Sequence, residues 1–380
     1  MNDTVYKGLL PQGLRDLLPP LAEAEAALVE RLMAVLAGNG YERVEPPLLE
    51  FEDNLLSGAG AAMAKETFRL MDPVSQRMIG VRADMTPQVA RIAATRLAKA
   101  PRPLRLSYAG QVLRVKGGQL NPERQLGQVG AELIGSDDIA ADVEVLTVAA
   151  EALGEVGMKS VSVDLTLPRL VPLLCSALGL DDERTERVRA ALDHKDAAAV
   201  AAVGGEAATL LRRLLAAAGT AEQTLTRLAG LKLPKEAAAE LARLATVCRE
   251  VKARAPGLAM TIDPVENRGF EYHTGISFAF FARSVRGELG RGGRYLTGNG
   301  ASEPATGFTI YTDLVIEALP NPTPSRRLFV PAASDAALVR RLRGEGWVTV
   351  AALRPGGDEA EAKRLRCSHM LAGDKIAALD

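Results

Sequence analysis

A guanidinium, an amide and a carboxylate recur within residues 114–132, as Arg114, Gln128 and Glu132. Such groups on adjacent strands suit a zwitterionic small molecule, whose two charges each need a partner. The stretch that carries them, residues 104–135, begins and ends in strand-like segments: Leu104, Leu106 and Tyr108, then Leu126, Val129 and Leu133–Ile134. Between these, residues 115–122 hold Gly117, Gly118 and an Asn121–Pro122 turn signal, which predicts a long β-hairpin. Arg114 ends the first arm. Gln128 and Glu132 lie four apart on the second, so they share one face of a strand. An ordinary hairpin with a surface ion pair fits the same residues.

Two further places bear on chemistry. Residues 81–91, VRADMTPQVAR, pass from strand to helix, with Asp84 or Thr86 able to cap and Pro87 at the first helical position. An acidic residue there can face a ligand ammonium or simply cap the helix. Glycines at 269, 275, 290, 292, 293 and 307 allow close backbone approach. They are too irregular for a dinucleotide fingerprint, and none precedes a lysine as in a phosphate-binding loop.

The elements that must position these groups are those of a globular chain. Its 380 residues are 24% charged and 47% hydrophobic, enough for two or three domains and a sizeable core. A net charge of −1 gives no general attraction to nucleic acid or to an anionic membrane. Cys175, Cys248 and Cys367 are far apart and odd in number, which suggests neither a disulfide framework nor a zinc site. The N-terminus lacks a basic segment followed by an apolar core, and no long uncharged apolar run occurs, so a cytoplasmic protein is expected.

In chain order, a helix is predicted over residues 21–37, then a strand over 40–50 that Pro46–Pro47 must place at an edge or bend. A short hairpin follows over 68–81, and, beyond the long hairpin, a helix over 142–153 and a strand over 160–165. Residues 170–255 turn alanine- and leucine-rich, with helices over 197–203, 206–218, 221–229 and 235–253, and read as a helical insertion in a main domain of residues 1–320. His194 lies in DHKD there and reads as solvated. Strand-like sequence resumes at 259–263 and continues to 311. Pro320, Pro322 and Pro324 form a linker, after which residues 325–380 outline a small α/β unit of strand, helix, strand, helix.

The hairpin, the Arg-Ala-Asp-Met-Thr turn and the segment Arg268-Gly-Phe-Glu-Tyr-His-Thr-Gly together resemble histidyl-tRNA synthetase over roughly residues 8–318. The closer resemblance is to a paralogous family, the regulatory subunits of ATP phosphoribosyltransferase from histidine biosynthesis. It implies an α+β fold: a class II synthetase-like antiparallel sheet flanked by helices, with a helical insertion and a small C-terminal α/β unit. By that resemblance, Asp84, Thr86 and Gln128 hold an amino acid's ammonium, Glu132 meets the imidazole, and Arg268 approaches the carboxylate. Arg114 and Tyr272 are kept as well. The next position carries His273 where the synthetase has a second tyrosine.

The nucleotide side departs from the synthetase pattern. Where its third motif ends Gly-x-x-x-Gly-x-Glu-Arg, this chain reads Gly307-Phe-Thr-Ile-Tyr-Thr-Asp-Leu, so Tyr311 replaces a glycine and Leu314 the ATP-clamping arginine. Lys116 replaces a glutamate of the hairpin, and Pro122 an arginine. Each lost cation forfeits charge-assisted bonds worth roughly 1.5–3 kcal/mol. The resemblance therefore implies a subunit with no chemistry or cofactor of its own. It would bind L-histidine, form a homodimer through its first helix and the 44–50 strand, and join a short-form ATP phosphoribosyltransferase catalytic chain. A tRNA partner is not expected, since the C-terminal unit is smaller than an anticodon-binding domain and mixes acidic with basic residues.

Overall fold

The computed structural model describes residues 8–118, 122–266, 272–298, 302–321, 325–355 and 358–379. The chain divides into two compact units, residues 1–320 and 321–380.

Helix α1 (Leu21–Gly38) turns Leu28, Leu32, Met33 and Leu36 inward, an apolar stripe at helical spacing. The single strand expected over 40–50 is two. Strand β1 (Glu42–Arg43) edges the main sheet, and β2 (Leu49–Phe51) belongs to a separate sheet. Pro46 and Pro47 lie between them and have no N–H to continue a ladder. Buried Arg82 secures the bend by donating to the carbonyls of Pro46 (2.8 Å) and Gln111 (2.7 Å). After helix α2 (Glu52–Leu55), strands β3 (Arg69–Met71) and β4 (Met78–Val81) complete a three-stranded sheet in the order β2-β4-β3. Asp72 closes that hairpin by accepting from the Val74 and Ser75 amides. Helix α3 (Thr86–Thr95) follows, with Pro87 in its first turn as the sequence predicts.

The long hairpin is β5 (Leu104–Leu113) and β6 (Gln125–Ile134), paired without a break from Leu104↔Ile134 to Leu113↔Gln125. Helix α4 (Ile139–Glu155) and strand β7 (Val161–Thr166) follow. The alanine-rich region holds six helices: α5 (Leu170–Ala177), α6 (Asp182–Asp193), α7 (Ala197–Ala202), α8 (Gly205–Leu215), α9 (Ala221–Ala229) and α10 (Lys235–Arg254). Two of these, α5 and α6, were not foreseen. His194 ends α6 in an exposed position, with Nδ1 2.7 Å from the Ala190 carbonyl. Short β8 (Gly219–Thr220) interrupts the helices, and β9 (Ala259–Asp263), β10 (His273–Ala282), β11 (Gly290–Leu296) and β12 (Pro304–Tyr311) lead into helix α11 (Thr312–Ala318).

The main sheet runs β1-β5-β6-β12-β11-β10-β7-β9-β8. Pairs β1·β5 and β7·β9 are parallel and the rest antiparallel. Alternation along the strands gives the sheet two different faces. Val129, Ala131, Leu133, Phe278, Phe280, Phe308 and Ile310 join α1, α4 and α10 in the larger core. The other face carries Leu106, Tyr108, Leu126, Ile134, Tyr295 and Tyr311 and is roofed by Met85, Val89 and Ala93 of the α3 region.

In the second unit, β13 (Arg327–Val330) is flanked by β14 (Val348–Ala351) and β15 (His369–Ala372), both parallel to it, with β16 (Lys375–Ala378) antiparallel at the edge. Helices α12 (Ala336–Gly344) and α13 (Glu359–Arg364) contribute to two separate apolar clusters, one with Leu328 and Trp347, the other with Phe329 and Cys367.

One ion-pair knot ties the main sheet to its helices. Arg294 of β11 is 4% exposed and donates to Asp142 (2.9 Å) and to the carbonyls of Ser136 (2.8 Å) and Asp138 (3.1 Å) at the start of α4. The other oxygen of Asp142 takes Arg243 of α10 at 2.8 Å. Removing the carboxylate strands a buried guanidinium, a change that costs about 3 kcal/mol or more. Asp142→Ala should therefore lower unfolding stability by about that amount in a denaturant titration. A loss below about 1 kcal/mol would show that Asp137, 3.3 Å from Arg294, takes over as its counter-charge.

Candidate functional site

Cross-strand register builds the floor of the site. On the α3 side, Leu106, Glu132 and Gly307 stand in one row across β5, β6 and β12, and Tyr108, Gly130 and Thr309 in the next. The glycines decide the shape. A Cβ on Gly307 would fall on the Glu132 carboxylate, and one on Gly130 on the Tyr108 hydroxyl. Both side chains therefore lie sideways across their glycine neighbours instead of standing away from the sheet. The result is a narrow cleft walled by Asp84, Thr86, Glu132, Tyr272, His273 and Arg291 among others.

Glu132 is its centre, 1% exposed. One carboxylate oxygen accepts from Thr86 Oγ1 (2.9 Å) and the Tyr108 hydroxyl (3.3 Å), the other from the Tyr295 hydroxyl (2.9 Å). Burial dominates these hydroxyls and pushes the Glu132 carboxyl up to about 8. Tyr108 and Tyr295 are themselves held well above the ordinary phenol range, first by burial and next by Glu132, so both remain proton donors. Thr309 extends the network, 2.7 Å from the Tyr108 hydroxyl.

Asp84 lies on the wall of the cleft, just before α3. Its Oδ1 accepts the Thr86 amide, the first of α3, at 2.8 Å, while Oδ2 faces Gln128 Nε2 at 3.5 Å. Gln128, 1% exposed, accepts the Met85 amide at 3.1 Å and fixes the turn from behind. Tyr272 lies against His273 with ring centroids 4.1 Å apart, and edge-on to Tyr295 at 6.2 Å. Of the eight residues singled out from the sequence, Asp84, Thr86, Glu132, Tyr272 and His273 line the cavity. Gln128 supports it, and Arg268 lies outside the described residues. Arg114 stands off to one side, paired with Glu66 at 3.6 Å and donating to the Tyr311 hydroxyl at 3.4 Å.

On that side Tyr311 is buried at 7% exposure in the tyrosine-rich cluster. Leu314 turns away into the larger core, where Gly287 leaves room for it, so position 314 presents no cation. Asp313 accepts the Gly127 amide at 2.8 Å and pairs with Arg15 at 3.8 Å.

Sequence reasoning missed four members of the site: Tyr108, Thr309, Tyr295 and Arg291. Strand parity offered a signal for Tyr108, which shares a face with Leu106. Tyr295 and Arg291 lie in the GRGGRY run, where the glycines are the feature that stands out in the sequence.

The sequence model of the histidyl-tRNA synthetase family matches residues 13–315. A protein of Paramagnetospirillum magneticum named "ATP phosphoribosyltransferase regulatory subunit" is 58% identical over the whole of both chains. Among solved structures, a Bacillus halodurans protein described as an ATP phosphoribosyltransferase regulatory subunit/histidyl-tRNA synthetase superposes with a TM-score of 0.84 at 24% identity, covering 96% of this chain and 98% of that one. A chain of the ATP phosphoribosyl transferase complex of Thermotoga maritima shares the fold at a TM-score of 0.60 and 19% identity, over 76% of this chain and 97% of that one. The class II synthetase-like sheet flanked by helices is thus common to these structures. By its identity to the curated relative over the full length, the chain belongs to the family of ATP phosphoribosyltransferase regulatory subunits.

Proposed function

We propose that this chain binds L-histidine in the Glu132 cavity and regulates a short-form ATP phosphoribosyltransferase catalytic chain in the cytoplasm, without adenylating the amino acid. The observation that carries the histidine reading is the buried carboxyl of Glu132, whose titration lies near neutrality. An imidazole presents one donor and one acceptor and also titrates near neutrality, so a proton can settle on either partner. Asp84, on the cavity wall, suits the ammonium. The nucleotide side offers the opposite conditions, with Tyr311 filling space and Leu314 withdrawn into the core. These features favour a sensor over a divergent histidyl-tRNA synthetase. The name of the curated relative supports a catalytic partner.

A homodimer fits the same reading. Leu48, Leu49, Leu70, Met71 and Met78 of the three-stranded sheet and its approach are each 40–58% exposed, beside the α1–β2 region that the resemblance assigns to dimerisation. Light scattering of the purified chain at micromolar concentration should give the mass of a dimer. A monodisperse monomer would remove this part of the proposal.

Feedback requires histidine to bind one state of the complex more tightly than another. Replacing Glu132 with alanine leaves the imidazole without its buried partner, at a cost of about 1–3 kcal/mol in binding. The Glu132→Ala complex should stay assembled and active yet need roughly 5- to 150-fold more histidine for equal inhibition. Unchanged histidine binding by calorimetry and unchanged inhibition would together show that histidine acts elsewhere.

The raised Glu132 titration also sets the pH dependence of the unliganded chain. Between the ordinary 4.5 and the folded value of about 8, the folded state holds a proton that the unfolded state has lost. Stability contributed by this group is therefore present at low pH and declines as pH rises through that window. Glu132→Gln, which cannot ionise, should flatten the fall in Tm between roughly pH 5 and 8. Parallel curves for wild type and variant would mean that Glu132 is already ionised in the folded chain.

A further inference from the structure

One cross-strand row runs from the cleft to the helical insertion. Glu132 of β6 pairs with Gly307 of β12, Gly307 with Gly293 of β11, and Gly293 with Ser277 of β10. Ser277 then pairs with Thr166 of β7, and Thr166 with Asp263 of β9. Paired residues share a face, so the whole row lies on the α3 side of the sheet and extends about 24 Å at the usual strand spacing. Gly293 leaves room for the His273 ring as Gly307 does for Glu132, since a Cβ there would fall on the imidazole. Beyond it, the buried hydroxyls of Ser277 and Thr166 have no hydrogen-bond partner. Side-chain bonds therefore do not anchor this half of the row until Asp263.

Two cations supply the anchors. Lys195, in the turn between α6 and α7, places its ammonium 2.6 Å from Asp263 and 3.7 Å from Glu266. Asp164, on the same face of β7, is held above the ordinary carboxyl range, first by burial and further by those two carboxylates. Arg169, at the entry to α5, donates to the Thr274 carbonyl (3.4 Å), the residue after His273, and pairs with Glu240 of α10 at 3.3 Å. The backbone of Lys195 is left-handed, at φ +55°, a conformation that glycine adopts at less cost. Strain kept at a residue points to a use for its side chain.

Resting on the histidine reading above, we infer that the helical insertion positions the Tyr272–His273 wall of the cleft, with Lys195 and Arg169 as the positioning residues. Lys195 counters the repulsion among Asp164, Asp263 and Glu266 and so fixes the far end of the row. Arg169 fixes the wall itself, at Thr274. A partner that shifts the insertion would then change the hold on histidine, and histidine would bias the insertion by the same factor.

Histidine binding by calorimetry and unfolding in denaturant, both on the full chain, separate positioning from stability. Lys195→Gly and Arg169→Met should each weaken histidine roughly three- to thirtyfold, the range over which coupled residues act without touching the ligand. Lys195→Gly should leave the unfolding midpoint unchanged or raised, because relief of the left-handed strain offsets a partly exposed ion pair. Lys195→Arg keeps the charge and should recover most of the histidine affinity. Arg187→Ala, which removes an exposed pair with Glu183 within α6, should bind histidine as wild type does. Affinity within about twofold of wild type in either Lys195→Gly or Arg169→Met, beside a clear loss in Glu132→Ala, would overturn the inference and leave the histidine reading intact. So would a loss that Arg187→Ala shares or that follows a lowered unfolding midpoint. A wild-type chain that binds no histidine would overturn both.

Discussion

The site depends on a carboxyl that lies flat on a β-sheet. Glu132 could not do so if residue 307 had a side chain, because the first carbon would occupy the carboxylate's place. Gly130 makes the same allowance for Tyr108. With both groups laid sideways, three hydroxyls reach the carboxyl from three separate elements: Thr86 at the start of α3, Tyr108 on β5 and Tyr295 on β11. Isolated in an apolar interior, an ionised carboxylate costs several kcal/mol. Here the hydroxyls offset part of that cost and burial outweighs them, so the proton comes off near neutrality. Cavity shape, hydrogen-bond network and titration thus all follow from one cross-strand pairing.

The same sheet explains why the pocket is open beneath Glu132 and filled on the side of Tyr311. Residues facing α3 alternate along β12 as Ala305, Gly307, Thr309 and Tyr311. Gly307 opens the floor beneath Glu132. Two steps beyond Thr309, Tyr311 closes the floor beside Arg114. Just past the strand end, Leu314 is in the core because α11 turns that position inward. Its buried environment would not accept an arginine without a partner. If this side matches the synthetase's nucleotide side, as the resemblance implies, its closure is built into packing and does not rest only on an absent charge.

Local periodicity made much of this legible in the sequence. Gln128 and Glu132 share a face because strands repeat every two residues, and Pro46–Pro47 break the strand because proline has no N–H to donate. Helix α5 was hidden by Pro172, which reads as a breaker but sits in the first turn, where its missing N–H has no helical partner to lose. Helix α6 was hidden by a polar run, DERTERVRAALD, that buries only Val188, Ala191 and Leu192. The unread part of the site is non-local. Tyr295 meets Glu132 across 163 positions, and Thr309 meets Tyr108 across 201. Only the pairing of β6 with β12, and of β12 with β11, creates those contacts, and no spacing within one strand encodes them.

The closed network limits how a ligand can gain affinity. An imidazole arriving at Glu132 finds an acceptor that already has three hydroxyl partners, so it competes with existing bonds and does not fill a vacancy. An exchange of one neutral hydrogen bond for another is worth on the order of 1 kcal/mol or less. Glu132 by itself therefore selects the side chain more than it holds the ligand. On the histidine proposal, the larger share comes from the ligand's charges, since partial burial makes charge-assisted bonds stronger than in water. On that proposal, recognition of the imidazole is separate from retention of the amino acid, and the three hydroxyl bonds to Glu132 hold the cleft's floor in the unliganded chain.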